Sequence, residues 1–260
     1  MTASRDRAAL RALLAAAGCV AADEEAAELL AAAGGDDEVL DALVARRLTG
    51  EPLAWVTGST VFCGLCIVVD RGVYVSRWQS EPLARRAAEL LPDEGVGIDV
   101  CCGTGAIAAV MARARPAARV VASDLDPAAV ACARRNGVDA HEADLFAPQW
   151  APLRGRADVV TGVVPYVPSE SLGELPSDTL RFESPLAYDG GGGGTAVLRR
   201  VLVESAPWLR AGGTLLLELG GDQARELEEA LHDAGLEATS TFIDADGDVR
   251  GIEARRRGAP

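Results

Sequence analysis

Lysine is absent from this chain of 260 residues, and all 25 of its basic side chains are arginines. That removes every mechanism built on a lysine Schiff base or a lysine general base. Histidine occurs only at His141 and His232, which offer no paired metal-ligand spacing. A single CxxC, Cys63-Gly-Leu-Cys66, has the spacing of half a zinc site or a redox pair, but no second one completes a zinc site. All six cysteines are therefore expected to be buried free thiols, and no metal is expected. No run approaches 18 apolar residues, so no membrane-spanning helix is expected. The opening MTASRDRAAL lacks the charged-then-apolar layout of a secretion signal, which points to a soluble, cytoplasmic protein. Acidic side chains number 39, for a net charge of −14, and such a surface repels phosphate backbones, so nucleic acid is excluded as a direct partner. Aromatics supply only 4% of residues, yet the hydrophobic total of 49% is ample for a core and excludes a disordered chain. At roughly 100–200 residues per domain, the length fits one large domain, or one domain with a small companion.

The texture of the chain changes twice. Residues 1–55 read as a small helical domain, with apolar faces marked by Leu10, Leu13 and Leu14, by Leu29 and Leu30, and by Val39, Leu40, Leu43 and Val44. Gly18 and Gly34-Gly35 punctuate its helices. Residues 56–94 read as a β-hairpin, from the short runs Val61-Phe62 and Ile67–Val69 either side of Gly64, followed by a linker helix at 80–91. From 95 to 260 strands and helices alternate. Strands are expected at Val96–Val100, Arg119–Ala122, Ala157–Thr161 and Thr214–Leu219, with helices at Ala106–Arg115, Pro127–Asn136, Thr195–Leu209 and Gln223–Ala234, the last of them. Fully apolar strands alternating with helices imply a mostly parallel sheet covered on both faces. The fold class is α/β, a doubly wound, Rossmann-like nucleotide-binding fold.

The chemistry concentrates where strands end. Asp99-Val-Cys101-Cys-Gly103-Thr-Gly105 follows a strand and opens a helix; its glycines let backbone approach a ligand, and the helix N-terminus adds positive partial charge. Asp124 ends the second strand, where a carboxylate can accept both hydroxyls of a ribose. Asp144 lies where a third strand should end, in reach of an adenine amino group.

These residues resemble the cofactor loop of class I S-adenosylmethionine-dependent methyltransferases. The whole chain resembles the HemK/PrmC family, which methylates the side-chain amide of glutamine in peptide chain release factors. Arg46-Arg47, Gly50–Ala54, Thr57-Gly58 and Phe62 resemble that family's link from helical domain to hairpin, and Gly72-Val73 through Arg77 and Glu81 its loop crossing towards the cofactor. Arg181–Glu183, Asp189–Gly191, Ala211–Gly213, Glu218–Gly220, Gln223, Asp246-Gly247 and Arg250 fall in family order. The resemblance implies S-adenosyl-L-methionine as cofactor, held by Asp99, Cys101, Gly103, Gly105, Asp124, Leu125, Asp144 and Leu145.

One departure bears on the acceptor. Where the family has Asn-Pro-Pro-Tyr, this chain has Val163-Val164-Pro165-Tyr166. In the family the asparagine side chain and a neighbouring carbonyl hold the two amide hydrogens of glutamine, orienting a feeble nucleophile. Valine has no acceptor, and Asn136 is the only asparagine in the chain. The family's Pro-Arg-Pro-x-Thr-Glu is likewise replaced by Ser76-Arg-Trp-Gln-Ser-Glu81. Val163, Pro165 and Tyr166 are expected to frame the reacting acceptor. Arg77, Trp78, Val164, Arg181 and Glu183 are expected to line its pocket. The expectation is a methyltransferase with an altered acceptor site, acting on a small molecule or another non-glutamine nucleophile. The alternatives are a glutamine N-methyltransferase acting on a release factor, and a cofactor-binding module without turnover.

Overall fold

A computed structural model describes residues 6–175, 177–244 and 246–258. Its first four helices are α1 (Arg7–Ala16), α2 (Ala22–Ala33), α3 (Asp37–Arg47) and α4 (Leu53–Thr57). Asp6 and Asp36 cap α1 and α3, each carboxylate accepting first-turn N–H groups, and Gly34 closes α2 at φ 60°. Leu10, Leu14, Ala26, Leu29, Leu40 and Val56 form a core of their own between these helices. Arg46 and Arg47 at the end of α3 are tied inward: Arg46 meets Glu51 at 2.7 Å and the Trp55 carbonyl at 2.9 Å, while Arg47 meets Glu25 at 2.6 Å. These two arginines fix the path of the link that follows.

The hairpin pairs β1 (Ser59–Phe62) with β2 (Leu65–Val68), antiparallel, about the turn at Cys63-Gly64. The extended segment 73–77 then crosses to α5 (Glu81–Leu90). Beyond it come β3 (Val96–Val100), α6 (Ala106–Ala114), β4 (Arg119–Asp124), α7 (Pro127–Arg135), β5 (Ala140–Glu142) and β6 (Ala157–Gly162). The short helix α8 (Ser177–Phe182) precedes α9 (Ala196–Ser205), β7 (Leu209–Glu218), α10 (Gln223–Glu226), α11 (Glu228–Asp233), β8 (Leu236–Ile243) and β9 (Val249–Arg256). The seven-stranded sheet runs β5-β4-β3-β6-β7-β9-β8, parallel except that β9 is antiparallel to both its neighbours.

Alternation along the strands feeds two helical layers. Val159 and Leu216 join Leu83, Ala87, Ile107 and Met111 under α5 and α6. Val160, Leu215 and Leu217 join Leu198, Val201, Leu202 and Leu231 under α9 and α11. Strand order reverses at β3, which has β4 on one side and β6 on the other, so the crevice for a ligand opens at the carboxyl ends of these strands.

The α/β, doubly wound reading holds, and two local expectations are corrected. The helix expected over Thr195–Leu209 stops at Ser205, because Leu209 onward is drawn into β7. The helix expected over Gln223–Ala234 is the last one but is broken at Leu227 into α10 and α11, and the strands β8 and β9 that follow it were not expected. β8 is an edge strand whose residues are mostly exposed, and its polar composition hid it. No helix among the described residues is long and apolar enough to cross a membrane.

Candidate active site

Three strand ends and the crossing segment enclose a hollow lined by Asp99, Cys101, Cys102, Gly103, Ile107, Val163, Phe62, Tyr74, Ser76 and Ser80. Asp99 sits at its floor. Its Oδ1 accepts the Thr161 hydroxyl at 2.7 Å, while its Oδ2 is buried with no hydrogen-bond partner. Burial pushes the Asp99 carboxyl up to about 7. Beside it the loop takes a left-handed turn at Cys101 (φ 54°) and Gly103 (φ 54°). A Cβ on Gly103 would meet nothing closer than 3.9 Å, so that glycine leaves open space. Gly105 differs: at φ 75° it caps α6, and a Cβ there would press on that of Ala133 at 2.9 Å, so its smallness serves helix packing. Burial and the neighbouring carboxylates raise the Cys101 thiol, which is no nucleophile at neutral pH.

Asp124 closes the loop from the next strand. Its Oδ2 accepts the Gly103 N–H at 2.8 Å and its Oδ1 the Asp126 N–H at 3.0 Å, leaving further lone pairs free. Leu125 follows, 61% exposed and outside the lining of the hollow.

The crossing segment is a partition. Tyr74 and Ser76 face the hollow, whereas Val75 and Arg77 face a second, larger cleft of about 560 Å³ against α2, α3 and the link. Glu183, buried, clamps the partition from that second side: it accepts the Val75 N–H at 3.3 Å and Arg77 at 2.7 Å. Tyr188 also donates to Glu183 and receives Arg77 at 3.1 Å. At the far wall, Ser80 donates to Glu218 at 2.5 Å and Tyr166 donates to the same carboxylate at 3.2 Å. Burial raises both Glu218 and the Tyr166 phenol.

Of the residues singled out in the sequence, Asp99, Cys101, Gly103 and Val163 meet in the hollow, with Asp124 bonded to its loop. Others lie elsewhere. Val164 is buried in the core beneath α9, so it does not line the pocket. Arg77 and Glu183 bind each other on the far side of the partition, in the other cleft. Arg181 donates to the Thr49 carbonyl and so ties α8 to the helical domain. Asp144 is half exposed and paired with Arg200 at 3.1 Å, and Leu145 is buried at φ 66°, its carbonyl taken by Ser123. Trp78 is 72% exposed, outside the lining of the hollow. Pro165 joins Val164 to Tyr166, whose hydroxyl is committed to Glu218. Tyr74, Ser76 and Ser80 were not assigned from sequence, because Tyr-Val-Ser-Arg at 74–77 carries no alternation of apolar and polar residues to mark which side faces the hollow.

A model of the methyltransferase small domain matches residues 71–149. The release factor glutamine methyltransferase of Mycolicibacterium smegmatis is 36% identical over 221 residues, covering 82% of this chain and 78% of that one. That of Moorella thermoacetica is 37% identical over 199 residues, covering 74% and 70%. The chain belongs to the release factor glutamine methyltransferase family. It is an S-adenosylmethionine-dependent methyltransferase. Solved structures share the fold: the ribosomal protein L11 methylase of Lactobacillus delbrueckii subsp. bulgaricus has a TM-score of 0.51 at 15% identity, covering 73% of this chain and 84% of that one. Within the family's frame, residues in and beside the hollow, whose free volume is about 30 Å³, present groups that complement parts of the cofactor. An orphaned, buried carboxylate oxygen on Asp99 suits the cofactor's ammonium, Asp124 retains lone pairs for ribose hydroxyls, and Gly103 leaves room for the chain between them.

Proposed function

We propose that this methyltransferase acts on a nucleophile that needs no amide clamp: a small molecule, or another non-glutamine group, bearing an amine, thiol, carboxylate or activated carbon. The observation that carries this reading is Val163. Its side chain lines the hollow and packs beside the cluster of Phe62 and Leu83, so the wall facing the acceptor is apolar where the family presents an asparagine. An unpaired amide N–H against that wall would cost about 1–3 kcal/mol, roughly tenfold to more than a hundredfold in rate.

The bound cofactor supplies an electrophilic methyl carbon on a sulfonium, whose neutral thioether leaves without acid assistance. This chain's residues then have the work of orientation. Asp99 would hold the ammonium and Asp124 the ribose. Ser80 spends its proton on Glu218, so its remaining lone pairs can accept one N–H or O–H of the acceptor. The partition of residues 73–77 screens the hollow from the larger cleft, which limits water at the sulfonium.

A second reading, methylation of a release factor glutamine, is favoured by the names of the relatives and by the retained Pro165-Tyr166. Val163→Asn separates the two. Incubation of each protein with release factor and cofactor, read by mass spectrometry, should give no methylated glutamine with the unaltered chain and a gain of one methyl with the variant. Glutamine methylation by the unaltered chain would sink the first reading.

A further inference from the structure

Cys132 and Arg135 in the last turn of α7 and Asn136, which caps it, stand at positions i, i+3 and i+4, and all three reach the end of the hairpin at Val68–Asp70. Cys132 Sγ donates to the Val68 carbonyl at 3.3 Å and accepts the Asp70 N–H at 3.4 Å, and Arg135 pairs with Asp70. Asn136 does more. Its Oδ1 accepts the Val68 N–H at 2.8 Å and its Nδ2 donates to the Val68 carbonyl at 2.9 Å, so the side-chain amide stands in for a neighbouring strand at the edge of β2. The same Nδ2 donates its second hydrogen to the Thr104 carbonyl at 2.9 Å. Thr104 lies inside the glycine loop, fully buried, and its hydroxyl meets that of Ser76 on the partition at 3.0 Å.

One planar side chain therefore joins the hairpin that carries Phe62 to the loop that must hold the cofactor, and through Thr104 to the partition. The task requires an acceptor and two donors on one rigid plane, which an amide provides and a carboxylate does not. We propose that Asn136 is a positioning residue that sets the cofactor loop by the placement of the hairpin, so that the two are fixed together. The proposal concerns cofactor binding and holds whichever acceptor is methylated.

Asn136→Asp keeps the acceptor for the Val68 N–H and removes both donations, setting a carboxylate oxygen against two carbonyls. Calorimetry with S-adenosylhomocysteine, well below the melting temperature, should show binding weakened about tenfold. Cys132→Ala and Arg135→Ala alter contacts to Val68 and Asp70 at the end of the hairpin but not to the cofactor loop. They should lower the melting temperature while leaving the dissociation constant within about twofold. If Asn136→Asp binds within that margin of the unaltered protein, or if Arg135→Ala weakens binding equally, the proposal fails. A measurement on the unaltered protein covers the case in which Asn136→Asp does not fold. Saturating S-adenosylhomocysteine should slow hydrogen exchange at the Val68 amide, and an unchanged rate there overturns the coupling.

Discussion

The carboxylate of Glu183 receives the guanidinium of Arg77 at 2.7 Å, across 106 residues of chain and on the side of the crossing segment turned away from the cofactor hollow. Glu183 is buried and also holds the Val75 N–H, so it fixes two successive outward-facing positions of that segment. Glu183→Ala leaves the Val75 amide and Tyr188 short of an acceptor and Arg77 without its counter-ion. Because Arg77 remains partly open to water, the loss should fall near the lower end for a broken buried pair, about 3 kcal/mol by urea denaturation. Glu183→Gln should cost less, since a neutral amide still accepts from the Val75 N–H.

Asp99 makes the protein respond to pH in two opposed ways. Its carboxyl, pushed up to about 7 by burial, lies above the unfolded value, so the neutral acid favours the fold. That contribution is fully present below the unfolded pKa of about 4 and is lost as pH rises through about 7. Cofactor binding runs the other way, because a cationic amino group prefers the ionised carboxylate. Between pH values of about 6 and 8, affinity for S-adenosylhomocysteine should rise about tenfold by calorimetry, and Asp99→Asn should flatten the profile. A flat profile in the unaltered protein would remove Asp99 from the ammonium site.

The two loop glycines should separate under substitution. Gly103→Ala meets only the strain of a left-handed alanine, about 1–2 kcal/mol, but places a methyl group in the hollow; cofactor affinity should fall more than stability does. Gly105→Ala adds a collision with Ala133 at 2.9 Å to the same strain. It should cost about 2–4 kcal/mol by thermal or urea unfolding.

Trp78 offers a probe of the acceptor with little structural penalty. At 72% exposed it contributes little to the core, so Trp78→Ala should change stability by less than about 0.5 kcal/mol. If the exposed ring meets an apolar acceptor at the mouth of the hollow, KM for that acceptor should rise severalfold with cofactor affinity unaltered. An unchanged KM would place Trp78 outside the acceptor path.

The sheet was legible because apolar strands such as Val96–Val100 and helix signals such as Pro127 leave local traces, and their alternation admits few topologies. The placement of the candidate cofactor residues was legible in part. Asp99 and Asp124 stand at strand ends, where the fold itself directs them to the crevice. Asp144 stands at one too, but Arg200 on α9 reaches it first, and nothing local announces a partner more than fifty residues away. Arg77 and Glu183 were recognisable as a charged pair of interest, yet which cleft they face depends on the phase of an extended segment. Val164 shows the same limit: adjacent to Val163, it points to the opposite side of the sheet. Side-chain clamps between distant segments, Ser80 with Glu218 and Asn136 with Val68, leave no periodic mark at all.

The partition between the two clefts has an implication for its length. Tyr74 and Ser76 look one way and Val75 and Arg77 the other, so adding or deleting a single residue upstream would exchange the two sets. A guanidinium would then stand opposite a sulfonium, cation against cation, and the Glu183 anchor would confront a phenol and a hydroxyl instead. Insertions and deletions in this stretch should be tolerated only in pairs, which makes it a strict ruler in a part of the chain that has no regular secondary structure.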